Sequence, residues 1–267
     1  MSVDDRENER GQFRRSPTGP WVNPQPQPAD RPAAPQPRSR GSRRPLWSAI
    51  LFAVVAASIG VRAFRDVSRP EAWDYWKELY ISPSLTSSLV ASADLNGTAR
   101  GRPALVISGR IGVASASWFR ARLDEARLAA GDTVLISSPG GDVDQAIIMG
   151  ETIRSRGLAT AVGIVDASGK IKPSFCASAC VFVYAGGEPR LGVEGSALGV
   201  HRFVSSGSVS DPVAETQRTT GMILSYLTKM GVSPLLVEAM SQTSDIRWLG
   251  PREMTAMNLV TAPSRAP

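Results

Sequence analysis

Thr133-Val134-Leu135-Ile136-Ser137-Ser138-Pro139-Gly140-Gly141-Asp142-Val143 decides the fold class. Its first residues are apolar or β-branched without alternation, which reads as a strand buried on both faces, since a half-exposed strand would alternate. The Pro-Gly-Gly that follows permits a sharp turn, because glycine takes backbone conformations closed to other residues. The turn opens directly into a helix expected to end near Gly157. Such a turn serves either as an anion cradle or as a tight strand-to-helix connection, and the residues alone leave both open.

Outward from this stretch the pattern repeats. Ala104-Leu105-Val106-Ile107-Ser108 reads as an earlier strand, followed by a helix over 115–130 closed by Gly131. Ala159-Thr160-Ala161-Val162-Gly163-Ile164-Val165 reads as a later strand, and Ala197-Leu198-Gly199-Val200-His201 as a fourth. Continuous apolar strands alternating with helices predict an α/β fold of repeated βαβ units around a mainly parallel sheet. Between the last two strands lies Phe175-Cys176-Ala177-Ser178-Ala179-Cys180-Val181-Phe182-Val183-Tyr184-Ala185-Gly186-Gly187, in which small residues crowd a serine at the mouth of an apolar run. Ser178 is expected at the first turn of a buried helix, where free N–H groups and the helix dipole favour developing negative charge. The plainer reading is a small residue packing a helix against a sheet.

The chain has 267 residues, 42% of them apolar and 20% charged, which is ordinary globular composition for one or two domains. Its net charge of +6 resembles a nucleic-acid signal until it is located. Residues 1–45 hold nine arginines against five acidic residues, leaving about +2 on the other 222, so no nucleic-acid partner is expected. The same 45 residues carry nine of the 20 prolines and few aliphatic side chains, and are expected to be a disordered tail.

Leu46 to Val61 contains no charge and is bracketed by arginines, Arg43 and Arg44 before it and Arg62 and Arg65 after it. Residues 46–64 are therefore expected to form one transmembrane helix, with residues 65–100 as a connector and 101–267 as the folded domain. Five arginines between Arg31 and Arg44 against three between Arg62 and Arg69 orient the tail to the cytoplasm. That places the domain in the periplasm of a bacterial inner membrane. A cleavable leader is the rival, but a 45-residue polar segment is long for one. Trp73, Tyr75, Trp76 and Tyr80 suggest a short amphipathic helix near the membrane surface.

The order of these motifs resembles the Clp protease proteolytic subunit and signal peptide peptidase group, the crotonase-like (ClpP-like) fold, over about residues 104–263. The carriers are Ser-Pro-Gly-Gly after a strand, Ala177-Ser178 before an apolar helix, His201 at the end of the next strand, and a closing segment with Gly231-Val232-Ser233, then Asp245 to Glu253, then Asn258-Leu259-Val260. The resemblance implies a Ser178-His201-Asp245 triad and an oxyanion hole from the N–H groups of Gly141 and Ala179, with a peptide or protein as substrate. It differs at Cys180, where these families usually place glycine. Independently of the family, His201 is the chain's one histidine and the group best suited to accept a proton near neutral pH. It could equally be a satisfied histidine at a strand end, and Asp245 could cap a helix or pair with Arg247 or Arg252.

Cys176 and Cys180, the chain's two cysteines, are expected to form a disulfide in an oxidising compartment, with two free buried thiols as the alternative. No metal site and no cofactor are expected. Homo-oligomerisation is left open. The leading functional reading is a membrane-anchored serine hydrolase acting by acyl transfer, with a peptidase as its expected kind. A non-catalytic binding module on the same fold and a Ser-Lys peptidase with Lys229 as base remain as alternatives.

Overall fold

The structure, a computed structural model, describes residues 44–95, 101–167, 169–203 and 211–262. The expected proline- and arginine-rich tail lies outside the described residues. Helix α1 runs Arg44–Val67. Its stretch Leu46–Val67, 22 residues, is long and apolar enough by length and composition to cross a membrane. At 1.5 Å per residue its charge-free part, Leu46 to Val61, spans about 24 Å, and the long Arg62 side chain can reach the interface to make up the difference from a hydrocarbon layer of about 30 Å. Helix α2, Pro70–Trp76, continues through a π-helical turn at Lys77–Ile81.

The main sheet has strand order β1-β2-β3-β4-β8, from Leu85–Ala93, Arg102–Gly109, Thr133–Ser137, Ala159–Val162 and Arg190–Leu191. Strand β1 is antiparallel to β2 and the remaining pairs are parallel. Between these strands the chain forms α3 (Ser115–Ala126), α4 (Val143–Ser155), a small β5–β6 hairpin (Ile164–Val165 with Ile171–Lys172), β7 (Phe175–Ala177) and α5 (Cys180–Ala185). Strand β9 (Ala197–Val200), α6 (Pro212–Lys229), α7 (Leu235–Ser241), β10 (Arg247–Trp248) and α8 (Pro251–Ala256) complete it. A second sheet, ordered β10-β9-β7, joins the first through a parallel bridge between Ser138 and Cys176.

Burial on both faces of β3 follows from its unbroken apolar run. Val134 and Ile136 enter the large core with Phe119, Leu123, Met149 and Ile153, while Leu135 enters a smaller cluster with Val106, Ala161 and Leu191 on the other face. Helix α4 starts where Asp142 accepts a hydrogen bond from Gln145 N–H at 2.9 Å, capping a free donor. It buries Ala146, Met149, Gly150 and Ile153, one face at helical spacing. Every residue of α5 is buried, so it is the central helix rather than a surface one.

Three expectations shift. The strand expected over 159–165 breaks at Gly163, whose N–H still donates to Ile136 O at 3.0 Å before the chain leaves the main sheet for the hairpin. The helix expected to reach residue 130 stops at Ala126, where Arg127 takes a left-handed conformation with φ 51°. The connector expected over 65–100 contains an edge strand, β1, whose small polar residues gave little periodicity.

Helices α4 and α5 approach closely at Gly150 and Gly186. A Cβ added to Gly186 would lie 2.2 Å from Gly150 O, a backbone atom that cannot swing aside. Gly186→Ala is expected to destabilise the folded chain by about 1–3 kcal/mol, as overpacking of a tight core does. Denaturant titration of the full chain in detergent micelles measures it, and an unchanged midpoint would show that the helices can part at little cost.

Candidate active site

Ser178 sits on the turn between β7 and α5, two residues before the helix rather than inside its first turn. Its φ of 56° is left-handed, a costly conformation for a residue with a side chain. Hydrogen bonds fix the turn from three sides. Ser178 N–H donates to Gly199 O at 2.9 Å, Ala177 N–H donates to Ser138 O at 3.0 Å, and Val181 N–H donates to Ser178 O at 3.0 Å. With six residues α5 has only a short dipole, so the anion-stabilising capacity lies in the local N–H groups.

Against this turn lies the Gly140–Gly141 turn. A Cβ built on Gly140, whose φ is 94°, would come 2.8 Å from Ser178 Cβ and 2.9 Å from Ala179 N, so only glycine fits there. Ile111 holds the turn like a short strand: its N–H donates to Gly140 O and its carbonyl accepts from Asp142 N–H, both at 2.9 Å. The Gly140 N–H donates to Ser138 Oγ at 3.0 Å. Among the described residues, the N–H groups of Gly141 and Ala179 have no acceptor. Main-chain donors of this kind are the groups from which an oxyanion hole is built.

His201 immediately follows β9, and β9 pairs in parallel with β7, Ala177 opposite Gly199. On the other side of β9, β10 runs antiparallel with Arg247 opposite Val200, so the segment carrying Asp245 returns to the same edge. Arg202 N–H donates to Thr243 O at 2.9 Å, extending that pairing past the strand ends. Ser178, His201 and Asp245 therefore lie at one end of the three-stranded sheet. The His201 ring bonds through Nδ1 to Arg202 O at 2.6 Å. Because a carbonyl only accepts, Nδ1 is the donor in this bond, and in the neutral ring Nε2 is then the acceptor, the tautomer a general base needs. Among the described residues neither Ser178 Oγ nor the exposed Asp245 carboxylate makes a side-chain hydrogen bond. Arg247, two residues from Asp245, pairs with Glu253 and Gln242 and not with Asp245.

The chain has structural similarity to solved proteins. The chain is similar to a ClpP1 mutant from Listeria monocytogenes. The match has 18% identity and a TM-score of 0.48, and covers 61% of this chain and 91% of that one. No family model matches the chain, and no curated protein sequence does.

Cys176 and Cys180 are joined by a disulfide with their Cα atoms 5.3 Å apart. The bridge runs from strand to helix across the serine turn, not along one helix as a spacing of four suggests, because α5 begins only at Cys180. Both cysteines are fully buried. A loop this short stabilises by less than the roughly 3 kcal/mol of a 15-residue loop, so its main effect is to hold the shape of the turn. Alkylation after denaturation without reductant is expected to find no free thiol at either position. Two alkylated cysteines in protein from an oxidising medium would contradict the bridge.

Lys229 is exposed at the end of α6, its Nζ paired with Glu151 Oε1 at 2.8 Å. Glu151 follows Gly150, which abuts Gly186 at the end of α5 opposite Ser178. The main-chain acceptor Arg202 O, the Ser138 hydroxyl and the Ile111 brace were not singled out from the sequence. A main-chain carbonyl leaves no residue-type signal to find.

Proposed function

We propose that the chain is a membrane-anchored serine hydrolase of the ClpP-like kind, acting on a peptide or protein. The observation that carries the reading is the left-handed Ser178, set against a glycine turn, with two N–H donors beside it that have no acceptor among the described residues. Ser178 Oγ attacks the substrate carbonyl while His201 Nε2 takes its proton, and the oxyanion is held by the N–H groups of Gly141 and Ala179. The imidazolium then gives that proton to the leaving amine. Water, deprotonated by His201, hydrolyses the acyl-enzyme and restores Ser178.

Arg202 O holds the Nδ1 proton, and Asp245, on the neighbouring segment, contributes its negative charge to the imidazolium that forms. Lys229 is committed to Glu151, which favours histidine over lysine as the base. The arginine bias around α1 supports a cytoplasmic tail and a periplasmic domain in a bacterial inner membrane, and the disulfide agrees with an oxidising compartment. The test is covalent inhibition of the full chain. A fluorophosphonate is expected to abolish ester and peptide hydrolysis in proportion to its incorporation. Hydrolysis that survives stoichiometric incorporation would overturn the acyl-enzyme.

A further inference from the structure

Immediately after the apolar α1, separated from it by Ser68 and Arg69 alone, α2 and its π-helical extension present an aromatic stripe. Trp73, Trp76 and Tyr80 recur at helical spacing and are 60%, 46% and 72% exposed, with Ile81 beside them at 68%. The Trp76 and Tyr80 rings stack, 5.6 Å between centroids and 10° between planes. Large exposed side chains packed on one another form a continuous apolar face rather than scattered surface residues.

The opposite face of the same helix is bound to the domain. Tyr75 donates to Ser117 Oγ at 2.8 Å. Glu78 Oε1 accepts from Ser84 Oγ at 2.7 Å and from Ser115 Oγ at 3.1 Å. Ser115 Oγ in turn accepts from Gly112 N–H at 2.8 Å, next to the Ile111 that braces the Gly140–Gly141 turn. One face is thus used internally and the other is left to an outside partner.

We propose that this partner is the headgroup and glycerol layer of the bilayer that holds α1, so that residues 70–81 lie in the membrane interface as a second, in-plane anchor. This rests on the reading of α1 as a membrane anchor. Two connecting residues span at most about 7 Å, so the aromatic face cannot leave the neighbourhood of the membrane surface once α1 is inserted. Trp and Tyr are the side chains that favour that layer, with an apolar ring and one polar group each. The docked helix holds the domain close to the membrane, through the contacts that also reach the Ile111 brace.

The experiment reconstitutes the full chain in phosphatidylcholine vesicles carrying a phospholipid with a photoactivatable diazirine at headgroup level, and maps the labelled peptides by mass spectrometry. Label is expected on both the α1 peptide and the 70–81 peptide. In the variant W73S/W76S/Y80S, label on 70–81 is expected to fall at least tenfold while label on α1 persists. Label on α1 without label on 70–81 in the wild-type chain overturns the interfacial helix and spares the anchor. Absence of label from both overturns the anchor reading and this inference with it.

Discussion

Ser178→Ala is expected to lower hydrolysis by on the order of 10⁶-fold, and His201→Ala by a similar factor, because nucleophile and base act as a unit and losing either approaches the loss of both. The fold should survive both changes. Ser178 is only half-buried, its side chain makes no hydrogen bond among the described residues, and its turn is held by main-chain bonds to Gly199, Ser138 and Val181. Alanine also tolerates the φ of 56° no worse than serine does. Asp245→Asn separates two ways of orienting the ring. Where an aspartate holds Nδ1, the amide costs on the order of 10⁴-fold. Here Arg202 O already takes the Nδ1 proton at 2.6 Å, so only the charge of Asp245 is lost, and the cost is expected to stay below about 10²-fold. Steady-state kinetics of the three variants measure this set. A loss near 10⁴ for Asp245→Asn would mean that the ring leaves Arg202 for the carboxylate during the reaction. Full activity in Ser178→Ala would remove the serine mechanism.

Arg190→Met is expected to cost about 2–6 kcal/mol of stability, about 1–3 kcal/mol for each of two buried carbonyls left without a donor. Arg190, only 3% exposed, bonds to the carbonyls of Leu259 and Ala185 at 2.9 and 3.3 Å, of Gly187 and Met230 at 3.2 and 3.0 Å, and of Asn258 at 2.8 Å. These acceptors come from the end of α5, the end of α6 and the segment after α8, so one guanidinium ties three chain regions together. Burial, and then the neighbouring Arg154 guanidinium, pull the Arg190 pKa below its ordinary value. The carbonyls offset that penalty as hydrogen bonds to a cation. Arg154 shares Ala185, Gly187 and Met230, leaving Leu259 and Asn258 as the carbonyls orphaned by the substitution. Arg190→Lys should recover only part of the loss, since an ammonium has three donors and no planar fork. Denaturant midpoints of the full chain in micelles decide it, and a loss under about 0.5 kcal/mol for Arg190→Met would show that other donors reach these carbonyls.

Much of the parallel sheet was legible because β2, β3 and β4 each carry a run of apolar or β-branched residues, Ala104 to Ile107, Thr133 to Ile136 and Ala159 to Val162, without polar alternation. The Ser178 turn was legible for a related reason: small residues and a glycine turn mark places where backbones approach closely. Strand β1 was not, since Leu85–Ala93 is rich in serine and alanine and belongs to an edge, where pairing rather than burial decides the conformation. Strands β8 and β10 are two residues each, too short for any period to show. The helix start at Cys180 instead of Ser178 follows from the hydrogen bonds to Gly199 and Ser138, long-range contacts that local sequence cannot report. The Arg202 carbonyl on His201 has the same origin, being a main-chain group available at every residue and selected only by the path of the chain after β9.

Whether Ser178 is a nucleophile is measured most directly by the position of the adduct when the oxidised full chain is treated with a fluorophosphonate and its peptides are sequenced by tandem mass spectrometry. A single adduct on Ser178, absent from His201→Ala and retained in Lys229→Ala, is the predicted result. No adduct on the folded, disulfide-bonded protein, or an adduct on another serine with Ser178 unmodified, would contradict it.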